Sequence, residues 1–208
     1  MAKVLFVKAN NRPVEQSATV KLYESFLQSY KENHPGDEIS EVNVFEANLP
    51  YYDNDIINGG YKLANGFEAT PEEVKAVELA NSYLDQFLNA DKVVFAFPLW
   101  NFTIPAQLLT YLFYLNQAGK TFKYTPEGAV GLVGDKKVAL LHARGGVYSE
   151  GPMASLEMSL NYVANTLAFW GIKNTENVIV EGHNQFPDRA DDIIQDGIQR
   201  AADLAARF

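Results

Sequence analysis

A stretch near the middle of the chain combines aromatic rings with an amide and could bind a planar ligand. The unbroken apolar run from Val93 to Phe97 predicts a strand that is buried on both faces. Pro98 ends this strand, because proline cannot donate a hydrogen bond to a sheet. The residues that follow are Leu99, Trp100, Asn101 and Phe102. Their rings and polar groups suit a flat heterocycle, although Trp100 and Phe102 could instead fill a gap between a helix and the sheet.

A polar loop near the start of the chain has the residue types of a phosphate site. Asn10, Gln16 and Ser17 lie between a predicted strand and a predicted helix. A helix N-terminus offers unpaired peptide N–H groups and a partial positive charge, which favour an anion. The alternative is that Ser17 serves only as the N-cap of the helix.

A glycine-rich loop follows a later strand. Gly145 and Gly146 allow peptide N–H groups to approach a ligand closely, and could donate to the electron-rich edge of a ring. Arg144 could stabilise negative charge on that ring or could simply brace the loop. An ordinary strand-to-helix turn is the other interpretation.

Several common catalytic signatures are absent from the sequence. It contains no G-x-G-x-x-G after the first strand, no G-x-x-x-x-G-K-[ST] and no G-x-S-x-G. It contains no cysteine, which excludes disulfides, thiolate metal sites and a cysteine nucleophile. His142 ends a strand and is interpreted as a core histidine, whereas His183 is a candidate for contact with substrate or for a catalytic role.

The bulk properties narrow the class of partner. The formal net charge is -9, which opposes binding to nucleic acid or to an acidic membrane. No apolar run reaches the roughly 18 residues that span a bilayer, and the N-terminus is typical of a first strand. We expect a cytoplasmic protein with no nucleic-acid or membrane partner.

Hydrophobic periodicity predicts five strands that alternate with helices. The predicted strands cover residues 4–8, 39–44, 93–97, 138–142 and 178–180, and a hairpin is predicted within 122–132. The predicted helices follow Ser17 to about 33, and cover 71–89, 105–117, 155–170 and 187–207, with Thr103 as a cap before the third. Residues 45–70 form a long irregular segment, which is usually functional or binds a partner.

This alternation predicts one domain over residues 1–208, an α/β fold with helices on both faces of a doubly wound, five-stranded parallel sheet. The flavodoxin-like strand order 2-1-3-4-5 is favoured over the order of classical dinucleotide-binding domains. In that order the loops after strands one, three and four converge at one edge of the sheet.

Four segments together resemble one enzyme family. The stretches PLWNFTIPAQL, ARGG, FKYTPEG and EGHNQFP are similar to the FMN-dependent NADH:quinone oxidoreductases known as azoreductases, and the resemblance covers essentially the whole chain. It implies that FMN is held by three loops. The phosphate residues it implies are Asn10, Gln16, Ser17 and Thr19. The residues it implies for the flavin ring are Pro98, Leu99, Trp100, Asn101, Phe102, Ala143, Arg144, Gly145 and Gly146. Glu15 replaces a serine of many members, and we expect it to point away from the phosphate.

The resemblance also implies the activity and the assembly. NADH would reduce the flavin by hydride transfer and leave, and a quinone or azo compound would then take two electrons in the same position. A homodimer is implied, with Tyr52 and Tyr124 as candidates to reach the partner's flavin. Two alternatives remain open: a flavodoxin-type electron carrier that does not oxidise NADH directly, and an interaction domain without a cofactor.

Overall fold

The computed structural model describes residues 1–208 and contains seven strands. They are β1 (Lys3–Lys8), β2 (Glu38–Asn43), β3 (Lys92–Pro98), β4 (Phe122–Thr125), β5 (Gly128–Gly131), β6 (Lys137–Arg144) and β7 (Thr175–Glu181). Five of them form a parallel sheet in the order β2-β1-β3-β6-β7, and β4 and β5 form a separate antiparallel hairpin. The predicted order 2-1-3-4-5 and the predicted hairpin are therefore confirmed.

Six helices accompany the strands. They are α1 (Ala18–Asn33), α2 (Asn54–Ala64), α3 (Pro71–Asn89), α4 (Ala106–Leu115), α5 (Leu160–Phe169) and α6 (Ala190–Arg207). No helix combines the length and the apolar composition that a membrane span requires.

The core consists of two clusters that use alternate residues of the same strands. One cluster joins Leu5, Val93 and Phe95 to apolar residues of α3, α4 and α5. The other joins Phe6 and Val94 to residues of α1 and α6. Since successive strand residues point to opposite faces, the helices cover both faces of the sheet. The prediction that β3 is buried on both faces is confirmed, because its residues 93–98 are all buried.

The interpretation of 45–70 as wholly irregular is wrong, because it contains α2. Asp53 caps this helix by accepting hydrogen bonds from the N–H groups of Asp55 and Ile56. The glycines in the segment indicated a loop, but Gly59 allows α2 to pack closely against α3. A Cβ at position 59 would lie 2.9 Å from the carbonyl oxygen of Glu73.

Two predicted helix starts are also wrong. Thr103 does not cap α4, because its backbone pairs with Trp100 and Pro105 occupies the N-cap position. Helix α5 begins at Leu160, not at about Ser155, because residues 154–156 form a single 3-10 turn. The side chain of Glu157 then accepts hydrogen bonds from the N–H groups of Leu160 and Asn161, at 2.9 Å and 3.0 Å.

Candidate functional site

Two adjoining clefts lie at the carboxyl ends of β1, β3, β6 and β7. The first has a volume of about 420 Å³ and the second about 450 Å³. Leu99, Gly145 and Asn184 line both clefts. The two volumes therefore form one elongated site at the edge of the sheet, where open α/β sheets bind their ligands.

The first cleft surrounds the start of α1. Of the predicted residues, it is lined by Asn10, Gln16, Ser17, Thr19, Pro98, Leu99, Trp100, Ala143, Gly145 and His183. Asn10 is buried, and its Nδ2 donates to Ser17 Oγ at 2.9 Å. Ser17 Oγ also accepts a hydrogen bond from the N–H of Val20 at 3.2 Å, so Ser17 is the N-cap of α1. The structure thus places the polar loop and a helix N-terminus in one cavity, which suits an anion.

Three further charged residues line this first cleft. Arg12 and Lys21 bring positive charge, and the sequence reasoning did not assign Lys21 to the site. Glu15 is exposed and also lines the cleft, and the expectation that its side chain points away from the phosphate stays a prediction. The short 3-10 helix Val14–Gln16 holds Glu15 close to the start of α1.

The second cleft is bounded by a tight turn after β3. Trp100 and Thr103 pair through two backbone hydrogen bonds, of 2.9 Å and 3.0 Å. Asn101 and Phe102 between them have φ angles of +47° and +69°. Left-handed backbone is uncommon for residues with side chains and is a strained conformation for a phenylalanine. The turn presents Asn101 and Phe102 to the cleft, opposite Gly145 and Gly146.

The loop after β7 fixes the glycine loop and completes the second cleft. The carbonyl oxygen of Gly145 accepts hydrogen bonds from the N–H groups of Asn184 and Gln185, at 2.9 Å and 3.2 Å. The side-chain oxygen of Gln185 accepts from the N–H of Val147 at 3.0 Å. Asn184, Gln185 and Tyr148 line the cleft, but the sequence reasoning did not select them. The available signal was the strand order, because β7 lies beside β6 and their loops must therefore meet.

Arg144 stabilises the glycine-rich loop after β6 from outside the two clefts. Its side chain is 5% exposed and does not line either cleft. Its guanidinium lies 2.9 Å from Glu181 Oε2 and 3.7 Å from Glu157 Oε1. Glu181 also accepts hydrogen bonds from the N–H groups of Tyr148 and Ser149. The structure thus shows the bracing role, and it gives no support to the alternative of a direct approach to a ring.

A buried network beneath the site joins β6 to the start of α5. His142 is fully buried; its Nδ1 lies 2.9 Å from the carbonyl oxygen of Phe97, and its Nε2 lies 3.2 Å from Ser159 Oγ. Ser159 donates to Glu157 at 2.5 Å. Burial raises the pKa of Glu157, but the nearby His142 and the hydrogen bonds from Ser159 and two N–H groups outweigh burial and lower it. The interpretation of His142 as a core histidine with satisfied nitrogens is confirmed.

Tyr52 and Tyr124 lie outside both clefts. Tyr52 packs against Phe113 and Tyr114, with ring centroids 5.8 Å and 6.5 Å away. Tyr124 lies on β4 and is 75% exposed. A single chain does not bring either residue to the site, so their contact with a partner's flavin remains a prediction.

Comparison with known proteins agrees with this geometry. A family model described as flavodoxin-like fold matches residues 2–205. The chain is 62% identical, over 100% of both chains, to FMN-dependent NADH:quinone oxidoreductase 3 of Bacillus thuringiensis subsp. konkukian. It is also 62% identical, again over 100% of both chains, to FMN-dependent NADH:quinone oxidoreductase 1 of Listeria monocytogenes serovar 1/2a.

Solved structures give the same result. An azoreductase from Bacillus anthracis str. Sterne superposes with a TM-score of 0.98 at 62% identity over 100% of both chains. An FMN-dependent NADH-azoreductase from Bacillus anthracis str. Ames Ancestor, solved in complex with FMN, superposes with a TM-score of 0.89 at 28% identity, covering 100% of this chain and 99% of that one. The chain therefore belongs to the flavodoxin-like family of FMN-dependent NADH:quinone oxidoreductases and azoreductases.

Proposed function

We propose that the chain is an FMN-dependent oxidoreductase that transfers two electrons from NADH to quinones and azo compounds. Residues 1–208 form one doubly wound domain that binds FMN. The observation that carries the proposal is the continuity of the two clefts. The first contains a helix N-terminus, which favours an anion. The second lies between the turn of residues 100–103, called here the aromatic turn, and the loop of Gly145 and Gly146, called here the glycine loop. The names of the 62% identical relatives support the same donor and cofactor.

The residues of the first cleft fit the phosphate and the chain that joins it to the ring. Arg12 and Lys21 supply positive charge, and the helix N-terminus adds partial positive charge. Asn10 is held by its hydrogen bond to Ser17, so its position is set before a ligand binds. Gln16 and Thr19 line the same wall.

The residues of the second cleft fit the flavin ring. The aromatic turn supplies a face for stacking. Gly145 and Gly146 have no side chain to obstruct an approaching ring edge, and their loop is fixed by Asn184 and Gln185. The peptide N–H groups of these glycines are the proposed donors to the pyrimidine edge, in place of Arg144.

The protein binds and orients, and the cofactor supplies the redox chemistry. When bound, FMN would supply hydride transfer from NADH and two-electron transfer to the acceptor. No side-chain nucleophile or base is required, which agrees with the absence of cysteine and of a G-x-S-x-G signature from the sequence. We expect donor and acceptor to occupy one position beside the bound flavin in turn, which would give a ping-pong order.

We also propose a homodimer, because large apolar side chains are exposed on one surface formed by α2 and α4. Tyr51, Ile57, Tyr61 and Phe67 are each more than half exposed in or beside α2, and Phe113 of α4 is 40% exposed. A second copy that covers this surface would bury it. We propose that the protein acts in the cytoplasm, where NADH is available, and that its net charge of -9 keeps it from nucleic acid and acidic membranes.

Anaerobic visible spectroscopy tests the proposed function. The purified protein, loaded with FMN, is mixed with NADH in a stopped-flow instrument, and a quinone or an azo dye is added in a second step. We expect rapid loss of flavin absorbance, followed by its return. A protein that binds FMN but is not bleached by NADH would be an electron carrier. A protein that takes up no FMN from an excess would be neither an FMN-dependent enzyme nor an electron carrier.

A further inference from the structure

His183 lies in the wall of the first cleft, on the loop between β7 and α6. It lines the cavity together with Ser17, Thr19 and Lys21 of the α1 start. Its Nδ1 is buried and has no hydrogen-bond partner within the chain. A buried polar atom without a partner costs free energy, so a hydrogen bond to a bound ligand would satisfy this atom.

The charges around His183 come from two elements. Arg12 and Glu15 lie on the loop before α1, and Lys21 lies in α1. Helix α6 contributes only Ala190 and Ile194 to the cavity wall. Burial lowers the pKa of His183, and the positive charge of Lys21 lowers it further. The imidazole is therefore mostly neutral at pH 7 while no anion is present.

We propose that His183 is a ligand of the phosphate group of FMN, and that it takes up a proton when the phosphate binds. The inference rests on the proposed function. A phosphate dianion beside the imidazole favours its charged form, and a protonated ring nitrogen can donate a charge-assisted hydrogen bond to a phosphate oxygen. The site would then distinguish FMN from riboflavin through a group whose charge changes when the phosphate binds.

Thermodynamic linkage between proton binding and FMN binding gives the direction in which pH changes the Kd for FMN. When the pKa of His183 is higher in the complex than in the free protein, binding is strongest at low pH and weakens as pH rises between the two values. The Kd for FMN can rise by up to about tenfold for each pH unit in that window. Riboflavin has the same ring but no phosphate, so its Kd should stay constant over the same range.

Binding titrations with the whole chain test the inference. The Kd values of FMN and riboflavin are measured by flavin fluorescence from pH 6.5 to 8.5, for the wild type and for His183→Gln, which is neutral throughout. We expect the wild-type Kd for FMN to rise by about tenfold, the variant to bind FMN more weakly at pH 6.5, and its Kd to be almost independent of pH. His34→Gln is the matched control, because His34 packs on Tyr30 far from the cleft, and it should retain the wild-type profile.

Calorimetry provides a second measurement. The heat of FMN binding at pH 7.5, in two buffers with different ionisation enthalpies, should show net proton uptake by the wild type and none by His183→Gln. Identical pH profiles and identical proton uptake in both proteins would overturn the role of His183 while leaving FMN binding intact. A wild type that binds neither flavin would instead overturn the proposed function, and this inference with it.

Discussion

At the scale of single residues, the aromatic turn after β3 keeps its side chains in place at a conformational cost. Asn101 and Phe102 adopt left-handed backbone, and Phe102 has no short polar side chain to ease that conformation. The backbone pairing of Trp100 with Thr103 and a hydrogen bond from the N–H of Met158 to the carbonyl oxygen of Phe102 hold the turn. Strain of this kind persists only where the surroundings determine the conformation.

Two replacements of Phe102 separate the cost of backbone strain from the effect of losing the aromatic ring. Phe102→Gly and Phe102→Ala both remove the ring, but only glycine adopts a φ of +69° without strain. We expect Phe102→Gly to be more stable than Phe102→Ala by about 1 kcal/mol in urea denaturation of the apoprotein. Both variants should bind FMN more weakly than the wild type. Equal stability of the two variants would show that the turn stores no strain.

The contact between Gly145 and Asn184 gives a second residue-scale prediction. A Cβ at position 145 would lie 2.3 Å from Asn184 Nδ2 and 2.9 Å from its Cγ. Gly145→Ala should therefore displace the loop after β7, destabilise the protein by about 1–3 kcal/mol and weaken FMN binding. The double variant Gly145→Ala with Asn184→Ala removes the clash and should recover most of the lost stability. Strict additivity of the two single changes in a double-mutant cycle would contradict this account.

The sequence predicted which residues form the site better than it predicted their conformations. Pro98 to Phe102 and the glycine loop could be selected because aromatic and glycine residues followed predicted strands. The orientation of Arg144 could not, because it depends on Glu157 and Glu181, which lie 13 and 37 positions later in the chain. The strand order brings the loop of Asn184 and Gln185 to the site, but their contact with Gly145 depends on how both loops fold.

At the scale of elements, Glu157 joins β6, the start of α5 and the loop after β3. It caps α5, faces Arg144 and His142 of β6, and is followed by Met158, which donates to the carbonyl oxygen of Phe102. Alternation and periodicity predicted the strands and most helices well, because those patterns are local. They missed the true start of α5, because that start is set by the side chain of Glu157 in a buried network.

Glu157→Gln tests this junction. Removal of one charge from a buried pair leaves its partners uncompensated, so we expect a loss of about 3 kcal/mol at pH 7. The folded pKa of Glu157 is depressed, so its contribution is present above the carboxyl pKa of the unfolded chain and is lost as pH falls toward the folded value. The stability gap between wild type and variant should therefore narrow below about pH 4.5.

A surface ion pair provides the control for that measurement. Glu176 lies 3.5 Å from Arg207, and both side chains are well exposed. Glu176→Gln should cost less than about 1 kcal/mol at pH 7. If the two variants lost equal stability, or if the gap for Glu157→Gln did not change with pH, the buried charge would not have the role assigned to it.

At the scale of the whole molecule, one exposed apolar surface favours a dimer over a monomer. The surface comprises exposed residues of α2 and its flanks together with Phe113 of α4, and Tyr52 packs against Phe113 within it. The sequence indicated part of this surface through residues 45–70, a long segment of a kind that is usually functional or binds a partner. It could not show that α2 exists, because Gly59 and Gly60 are poor helix formers, and the close packing on α3 that explains Gly59 is visible only in the fold.

Phe113→Glu tests whether this surface joins two copies. A charge placed in a buried apolar interface is costly, so we expect the variant to shift from dimer to monomer in sedimentation equilibrium at micromolar concentration. Gln199→Glu, on the exposed face of α6, adds the same charge elsewhere and should leave the dimer unchanged. A wild type that is monomeric at all concentrations would remove the basis for the homodimer.

The walls of the two clefts are tied to the rest of the chain by its own hydrogen bonds. The N–H of Leu99 donates to the carbonyl oxygen of Ala143 at 3.0 Å, and the loop after β7 holds Gly145 in the same way. The polypeptide can accordingly be synthesised and stored with its binding site already shaped. The supply of riboflavin, from which FMN is made, would then set the fraction of the protein that is active, without synthesis of new protein.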